Sequence, residues 1–240
     1  EGGKSKQIVW DAIKDQPNVN SASYRVRITV AEVPEDMVFI PARRFIMGDI
    51  DGDPDQQPER DIELDPFFID KYEVSNKHYG EFLKASGHAS PAYWDDHRRN
   101  KPQQPVSGVN WNDANAYCSW SNKRLPTEAE WEKAARGGLM GQIYPWPSQV
   151  KERVSSQLSR EKANYGGVGG SDRWHWTAPV GSFLPNQYGI FDVAGNGFEW
   201  CNDWYAEDYY SHSSSRNPLG PETGLTKILR GGSWNNNLFG

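Results

Sequence analysis

The chain has 240 residues, of which 36% are hydrophobic and 24% are charged. This length and composition are typical of one well-buried globular domain with room for a small appendage. With 26 Lys and Arg against 32 Asp and Glu, the net charge is −6, which argues against nucleic acid and against an anionic membrane surface as partners. No run approaches the roughly 18 apolar residues of a membrane span.

Aromatic residues and glycine are abundant: the chain has 11 Trp, 11 Tyr, 9 Phe, 23 Gly and 16 Pro. This composition favours short strands and long ordered loops over a helical bundle. Two cysteines, Cys118 and Cys201, lie far apart in the sequence. They leave two alternatives open, a disulfide or two buried thiols, because two cysteines in a chain of this length are not a disulfide scaffold.

Residues 1–33 differ from the rest of the chain. Apolar and polar residues alternate over 24–30, which predicts a half-buried strand, and residues 7–10 predict a second one. Two strands alone are marginally stable. We therefore expect 1–33 to be a β-strand arm, or the remnant of a preceding β-sandwich module, with 34–240 as the main domain. Further domains before residue 1 are expected on this interpretation.

The main domain begins with strand patterns at 37–40, 45–47 and 67–70. Between them, residues 48–60 form an acidic loop in which aspartate occurs at every second position from 49 to 55. A calcium-binding EF-hand loop needs glycine at its sixth position and glutamate at its twelfth, where this chain has Pro54 and Arg60. The pattern therefore predicts a solvated loop.

Three helices are predicted from their end signals. Ser75 is a suitable N-cap for a helix over 76–85 that ends before Gly87. A second helix is predicted over 111–122. The spacing of Thr127 and Glu130 is that of a capping box, which predicts a third helix over 128–135 ending at Gly137. Residues 139–240 read as loops and short strands.

Six segments together resemble the formylglycine-generating-enzyme (sulfatase-modifying-factor) family, in the family's order. They are FIMG (45–48), IDKYEVSN (69–76), PVSGVNW (105–111), RLPTEAEWE (124–132), AGNGFEW (194–200) and RGGSW (230–234). RLPTEAEWE and AGNGFEW are the most specific of the six. The resemblance implies an α+β fold related to C-type lectins, with few helices, short strands and long ordered loops.

The resemblance also implies calcium as a cofactor, held at two sites by loop carbonyls and acidic side chains. Such hard oxygen ligands suit this ion. The positions that match the first family site are Asn164, Tyr165, Asp172 and Trp174, and those that match the second are Asp192, Gly195, Gly197 and Glu199. The alternative is that Asp192 and Glu199 only brace loops through backbone hydrogen bonds.

The chemistry of the resembled family is not matched in this chain. Family enzymes activate oxygen with copper(I) held by two cysteine thiolates, since soft ligands select that ion. The first of these positions is Asn236 here, and no cysteine follows it. Related sulfoxide synthases use a histidine-rich iron site, but the five histidines of this chain show no ligand spacing. The absence of catalytic cysteines leans against an enzyme, with no catalytic residues assigned.

The sequence therefore predicts a non-catalytic, calcium-stabilised ligand-binding domain. RGGSWNNN also resembles the start of the hypervariable segment in variable proteins of diversity-generating retroelements, so Trp234, Asn235, Asn236 and Asn237 are predicted ligand contacts. The partner would be a protein or surface ligand of unknown identity, in a secreted or cell-surface setting. Two alternatives are an extracellular structural or assembly component, and a copper-dependent formylglycine-generating oxidase or relative.

Overall fold

A computed structural model describes residues 33–140, 142, 144–147 and 160–236. The strands predicted over 7–10 and 24–30, and with them the proposed arm, lie outside the described residues. Asn237 also lies outside them. The division of the chain at residues 33 and 34 stays a prediction.

Six short strands form three two-stranded antiparallel sheets within the described residues. The pairs are β1 (Met37–Ile40) with β4 (Phe67–Asp70), β2 (Arg43–Met47) with β3 (Arg60–Leu64), and β5 (Glu199–Trp204) with β6 (Lys227–Arg230). The helices are α1 (Asn76–Ser86), α2 (Trp111–Trp120), α3 (Glu128–Arg136) and the short α4 (Tyr209–His212). None of the described helices is long and apolar enough to cross a membrane.

The predicted caps of α1 and α3 are confirmed, whereas α2 ends at Trp120 and not at 122. The Ser75 hydroxyl accepts a hydrogen bond from the His78 N–H, and α1 ends at Gly87 in the left-handed conformation, with φ of 71°. At the start of α3, Thr127 accepts from the backbone N–H of Glu130, and the Glu130 carboxylate accepts from the N–H of Thr127.

The main core lies where α3 crosses the sheets. Its apolar centre includes Ile40, Met47, Ile62 and Trp131. A separate aromatic cluster of Tyr79, Phe82 and Tyr117 joins α1 to α2. The two cores fix the ends of the long loops that carry the candidate site.

The α+β fold with few helices and short strands is confirmed. Strands β3, β5 and β6 and helix α4 were not located from the sequence. Each is short, and β3 and β5 mix charged residues with apolar ones, so pairing across the sheet decides their conformation more than local pattern does.

Candidate functional site

The turn at 192–197 lies at the centre of the candidate site. Its backbone has positive φ at Asp192 (57°), Gly195 (80°) and Asn196 (60°). A β-carbon at Gly195 would lie 2.1 Å from the carbonyl oxygen of Asn164, so this close approach requires glycine. The Gly195 N–H donates to the Gly231 carbonyl at 2.7 Å. The turn therefore joins both predicted ion sites to the C-terminal segment.

The side chain of Asn196 is the hub of this junction and is only 1% exposed. Its Oδ1 accepts from Nδ2 of Asn164 at 3.0 Å and from the backbone N–H of Ala178 at 2.7 Å. Its Nδ2 donates to Oε2 of Glu73 at 2.5 Å and to the carbonyl of Ala178 at 3.3 Å. One amide thus cross-links three separate segments of the chain.

At the first predicted ion site, Asp172 is bonded to the residue that follows Asn164, because its Oδ2 accepts from the Tyr165 N–H at 3.4 Å. Asn164 is fully buried, and its Oδ1 makes no hydrogen bond within the described residues. Asp172 accepts from the N–H groups of Trp174 and Tyr165, and from Nη1 of Arg160 at 3.1 Å. Burial raises the pKa of Asp172 despite these donors. The site therefore holds one orphaned amide oxygen and one carboxylate that Arg160 already partly neutralises.

At the second predicted ion site, two acidic side chains face a buried region. Oδ2 of Asp192 accepts from the Gly181 N–H at 2.6 Å, whereas the buried Oδ1 has no hydrogen-bond partner within the described residues. Oε2 of Glu199 accepts from the indole N–H of Trp131 at 2.8 Å. Burial raises the pKa of Asp192 to about 6 and that of Glu199 to about 7.

Glu73 is a third carboxylate at this site, and the sequence reasoning missed it. Burial, followed by the negative charges of Asp192 and Glu199, raises the pKa of Glu73 well above its ordinary value. Its position in the IDKYEVSN segment was the available signal, but this segment contributed only to the family resemblance and to the N-cap of α1. The described residues hold no group of three or more His, Cys, Asp or Glu side chains arranged to bind a metal ion. An ion here would therefore also need amide and carbonyl oxygens.

The C-terminal segment closes over these loops. The Trp234 N–H donates to the Asn196 carbonyl at 3.1 Å, and the Asn236 carbonyl accepts from the Gly166 N–H at 2.8 Å. The Ser233 hydroxyl donates to Oδ1 of Asn236 at 2.5 Å. Of the predicted contact residues, Asn236 therefore closes a turn, while the neighbouring Asn235 is exposed.

The residues present do not fit a copper site of two thiolates. Both cysteines are free: Cys118 packs against the aromatic cluster of α1 and α2, and Cys201 is fully buried in the main core. Burial raises the pKa of Cys118 to about 11 and that of Cys201 well above its ordinary value. Both are therefore protonated near neutral pH, and they belong to different cores.

The fold and the motifs around this junction are those of a sulfatase-modifying factor. A family model described as a sulfatase-modifying factor enzyme 1-like domain matches residues 26–239. The chain belongs to this family.

Named relatives are similar along most of their length. The formylglycine-generating enzyme of Thermomonospora curvata is 37% identical, over 85% of this chain and 84% of the relative. That of Streptomyces coelicolor is 34% identical, over 82% and 78% respectively. The protein named inactive C-alpha-formylglycine-generating enzyme 2 of Mus musculus is 33% identical, over 88% and 77%.

Solved structures show the same fold. PvdO from Pseudomonas aeruginosa superposes with a TM-score of 0.72 at 30% identity, covering 85% of this chain and 84% of that one. Treponema denticola variable protein 1 superposes with a TM-score of 0.68 at 26% identity, covering 84% of each chain. The resemblance to both the enzyme family and the variable-protein fold is therefore confirmed.

The prediction of a non-catalytic ligand-binding domain is wrong. That prediction relied more on the missing thiolate at Asn236 than on the similarity of the rest of the chain to the enzyme family. Relatives named formylglycine-generating enzyme are 32–37% identical over 82–85% of this chain, and this similarity favours the catalytic alternative.

Proposed function

We propose that this chain is a catalytic member of the formylglycine-generating-enzyme class, with a reaction centre other than a two-thiolate copper site. The proposal rests mainly on the 37% identity to a named formylglycine-generating enzyme over 85% of the chain. The packed junction around Asn196 supports it, because this junction holds the segment 233–236 in one geometry. A fixed segment of this kind suits the orientation of a substrate for reaction.

The chain's own residues would bind and orient the substrate. The turn closed by Ser233 and Asn236 presents Trp234 beside Trp176, with ring centroids 4.5 Å apart. Half-buried indole faces can hold a peptide without losing much side-chain freedom. Neither cysteine of the chain has a role in this scheme.

The activity is tested with a cysteine-containing peptide under air. We expect oxygen consumption and an aldehyde that an aminooxy probe captures, whereas the same peptide with alanine in place of cysteine gives neither product. An Arg44→Gln variant is a suitable protein control, because Arg44 is an exposed residue on β2. If no aldehyde forms with or without added copper or iron, the catalytic proposal fails and the mouse protein named inactive becomes the better parallel.

Calcium is proposed as a structural cofactor. Two buried oxygen atoms, Oδ1 of Asn164 and Oδ1 of Asp192, lack hydrogen-bond partners within the described residues. An unsatisfied buried oxygen is costly, and a bound cation would remove that cost. Asn164 and Asp172 would hold one ion, and Asp192 and Glu199 the other, with backbone carbonyls completing each set. Calcium-dependent loops of this kind agree with the expected secreted or cell-surface location, which is part of this proposal.

Removal of calcium tests this cofactor. We expect excess chelator to lower the melting temperature, since a ligand that binds only the folded state stabilises it by mass action. An Asp192→Asn variant should lose the part of that calcium-dependent shift that the second ion site contributes, and should keep the part that comes from the site of Asn164 and Asp172. An Asp51→Asn variant in the exposed acidic loop should keep all of it. An unchanged melting temperature in chelator for the unsubstituted protein would count against both ion sites.

A further inference from the structure

A cluster of stacked rings and guanidinium groups lies beside the C-terminal segment. This arginine–indole cluster consists of Tyr93, Arg98, Arg99, Trp176 and Trp234. The guanidinium carbon of Arg98 lies 4.2 Å from the ring centroid of Trp176. That of Arg99 lies 4.1 Å from the ring centroid of Tyr93, 5.1 Å from that of Trp176 and 5.8 Å from that of Trp234. The two arginines thus stack on three aromatic faces.

The arginine–indole cluster is held in place before any ligand arrives. Asp96 accepts from Nε and Nη2 of Arg98, both at 2.8 Å, and from Nε of Arg99 at 3.0 Å. Nε2 of Gln104 donates to the carbonyls of Arg98 and Thr177, which joins the arginine loop to the loop that carries Trp176. Ordering the side chains on binding would therefore cost little conformational entropy.

The arginine–indole cluster offers open donors and a local positive charge. Nη1 of Arg98 and both Nη atoms of Arg99 make no hydrogen bond within the described residues. The Arg98 side chain is 46% exposed, whereas that of Arg99 is 14% exposed, so Arg98 supplies the more accessible donor. Two guanidinium groups share one carboxylate, that of Asp96, so these three groups together carry a charge of +1 on a chain whose net charge is −6. An acidic ligand that the rest of the surface repels would be attracted here.

The cluster lies next to the position at which the enzyme family carries its first reactive cysteine. Trp234 is two residues before Asn236, and its backbone N–H is bonded to Asn196. A peptide whose reacting residue lies at this position would have its neighbouring residues within reach of the two indoles and the arginine donors.

We propose that the arginine–indole cluster recognises a side-chain carboxylate of an extended peptide substrate, close to the residue that reacts. The planar arginine fork is suited to a carboxylate and can bind it through two parallel hydrogen bonds. The indole faces pack on the neighbouring peptide groups. The inference rests on the proposed function for its substrate class, and it adds an acidic residue to that substrate.

Binding of two matched peptides tests the inference without turnover. Both are nine-residue peptides with blocked ends and one central cysteine, and they differ only in two glutamates or two glutamines beside it. We expect calorimetric titration to show about tenfold tighter binding of the glutamate peptide, as charge-assisted hydrogen bonds give. The preference should shrink as salt is raised, because exposed charges are screened.

Protein variants show which arginines give the preference for the glutamate peptide. Arg98→Gln and Arg99→Gln should each reduce the glutamate preference severalfold, with melting temperatures recorded to confirm folding. Arg44→Gln, which removes an exposed arginine that pairs with Asp61 and Glu63, should leave it unchanged. Equal binding of the two peptides by the unsubstituted protein would overturn the inference, and so would binding of neither. A preference that survives in both folded variants would overturn it as well.

The outcome is separable from the test of catalysis. A glutamate preference without aldehyde formation would keep the recognition site and remove the proposed reaction. Aldehyde formation at equal rates and affinities from both peptides would keep the proposed reaction and remove the recognition site.

Discussion

At the scale of single residues, Asn196 connects the most segments of the candidate site. It is buried, makes four side-chain hydrogen bonds and adopts a φ of 60°. Asparagine tolerates this left-handed conformation better than most residues. The AGNGFEW segment predicted that residues of this turn bind calcium. The hydrogen bonds from Asn196 to Glu73 and Ala178 join residues far apart in sequence, so no local pattern could have revealed them.

Replacing Asn196 with alanine should destabilise the protein by about 3–5 kcal/mol, because it leaves buried partners unsatisfied and strains the backbone. Urea unfolding followed by circular dichroism measures this loss. Asn122 provides the matched control, since it has a similar φ of 57° and is exposed. Asn122→Ala should cost only about 1 kcal/mol, the backbone part of the effect. Equal losses in the two variants would show that the hydrogen bonds of Asn196 contribute little.

At the scale of secondary-structure elements, end signals predicted the three longer helices, whereas periodicity predicted only three of the six described strands. Strands β1 and β4 were located at their observed bounds and α1 to within one residue. By contrast, β5 pairs with β6 through a register irregularity between Trp200 and Trp204. The two strands are far apart in sequence, and the irregular register interrupts the regular alternation of side chains along them. Neither strand therefore has a clear signal of its own in the sequence.

The capping box of α3 gives a prediction at this scale. Thr127→Val keeps the side-chain volume but removes the oxygen that accepts from the Glu130 N–H at 3.2 Å. We expect a loss of about 1 kcal/mol in the free energy of unfolding, the usual effect of losing an N-cap. Thr127→Ser, which keeps the hydroxyl, should lose much less. Similar urea midpoints for the two variants would contradict a capping role for this oxygen.

At the scale of the whole molecule, buried charges tie α3 to the sheets. Both oxygens of Glu132 are used: Oε1 accepts from the Gly48 N–H and from Arg136, and Oε2 accepts from Arg230. Lys133 donates to the carbonyls of Pro41 and Arg43. The capping box in RLPTEAEWE predicted this helix, but not that Glu128 and Glu132 of the segment, and Lys133 after it, would be buried. Their partners come from β2, β6 and adjoining loops, which only the tertiary fold brings together.

Glu128 makes the stability of the whole molecule depend on pH. Burial is the main cause that raises its pKa to about 7; the charges of Glu132 and Asp203 act in the same direction, and Arg230 opposes them. Tyr210 also contacts it, and Arg60 faces it from β3. The folded chain therefore binds this proton more tightly than the unfolded chain, whose glutamate titrates near 4.5. Raising the pH from about 4.5 towards 7 should accordingly remove stability.

Glu128→Gln should remove this contribution. Between pH 5 and pH 7.5 we expect the free energy of unfolding of the unsubstituted protein to fall by about 2–3 kcal/mol more than that of the variant, as a pKa difference of this size requires. A slope should persist in the variant, because burial also raises the pKa of Asp203 and of Asp192 to about 6 and that of Glu199 to about 7. Glu81→Gln, on exposed α1 surface, should follow the unsubstituted protein. Parallel pH curves for the Glu128 variant and the unsubstituted protein would show that Glu128 stays ionised in the folded core, held by Arg230.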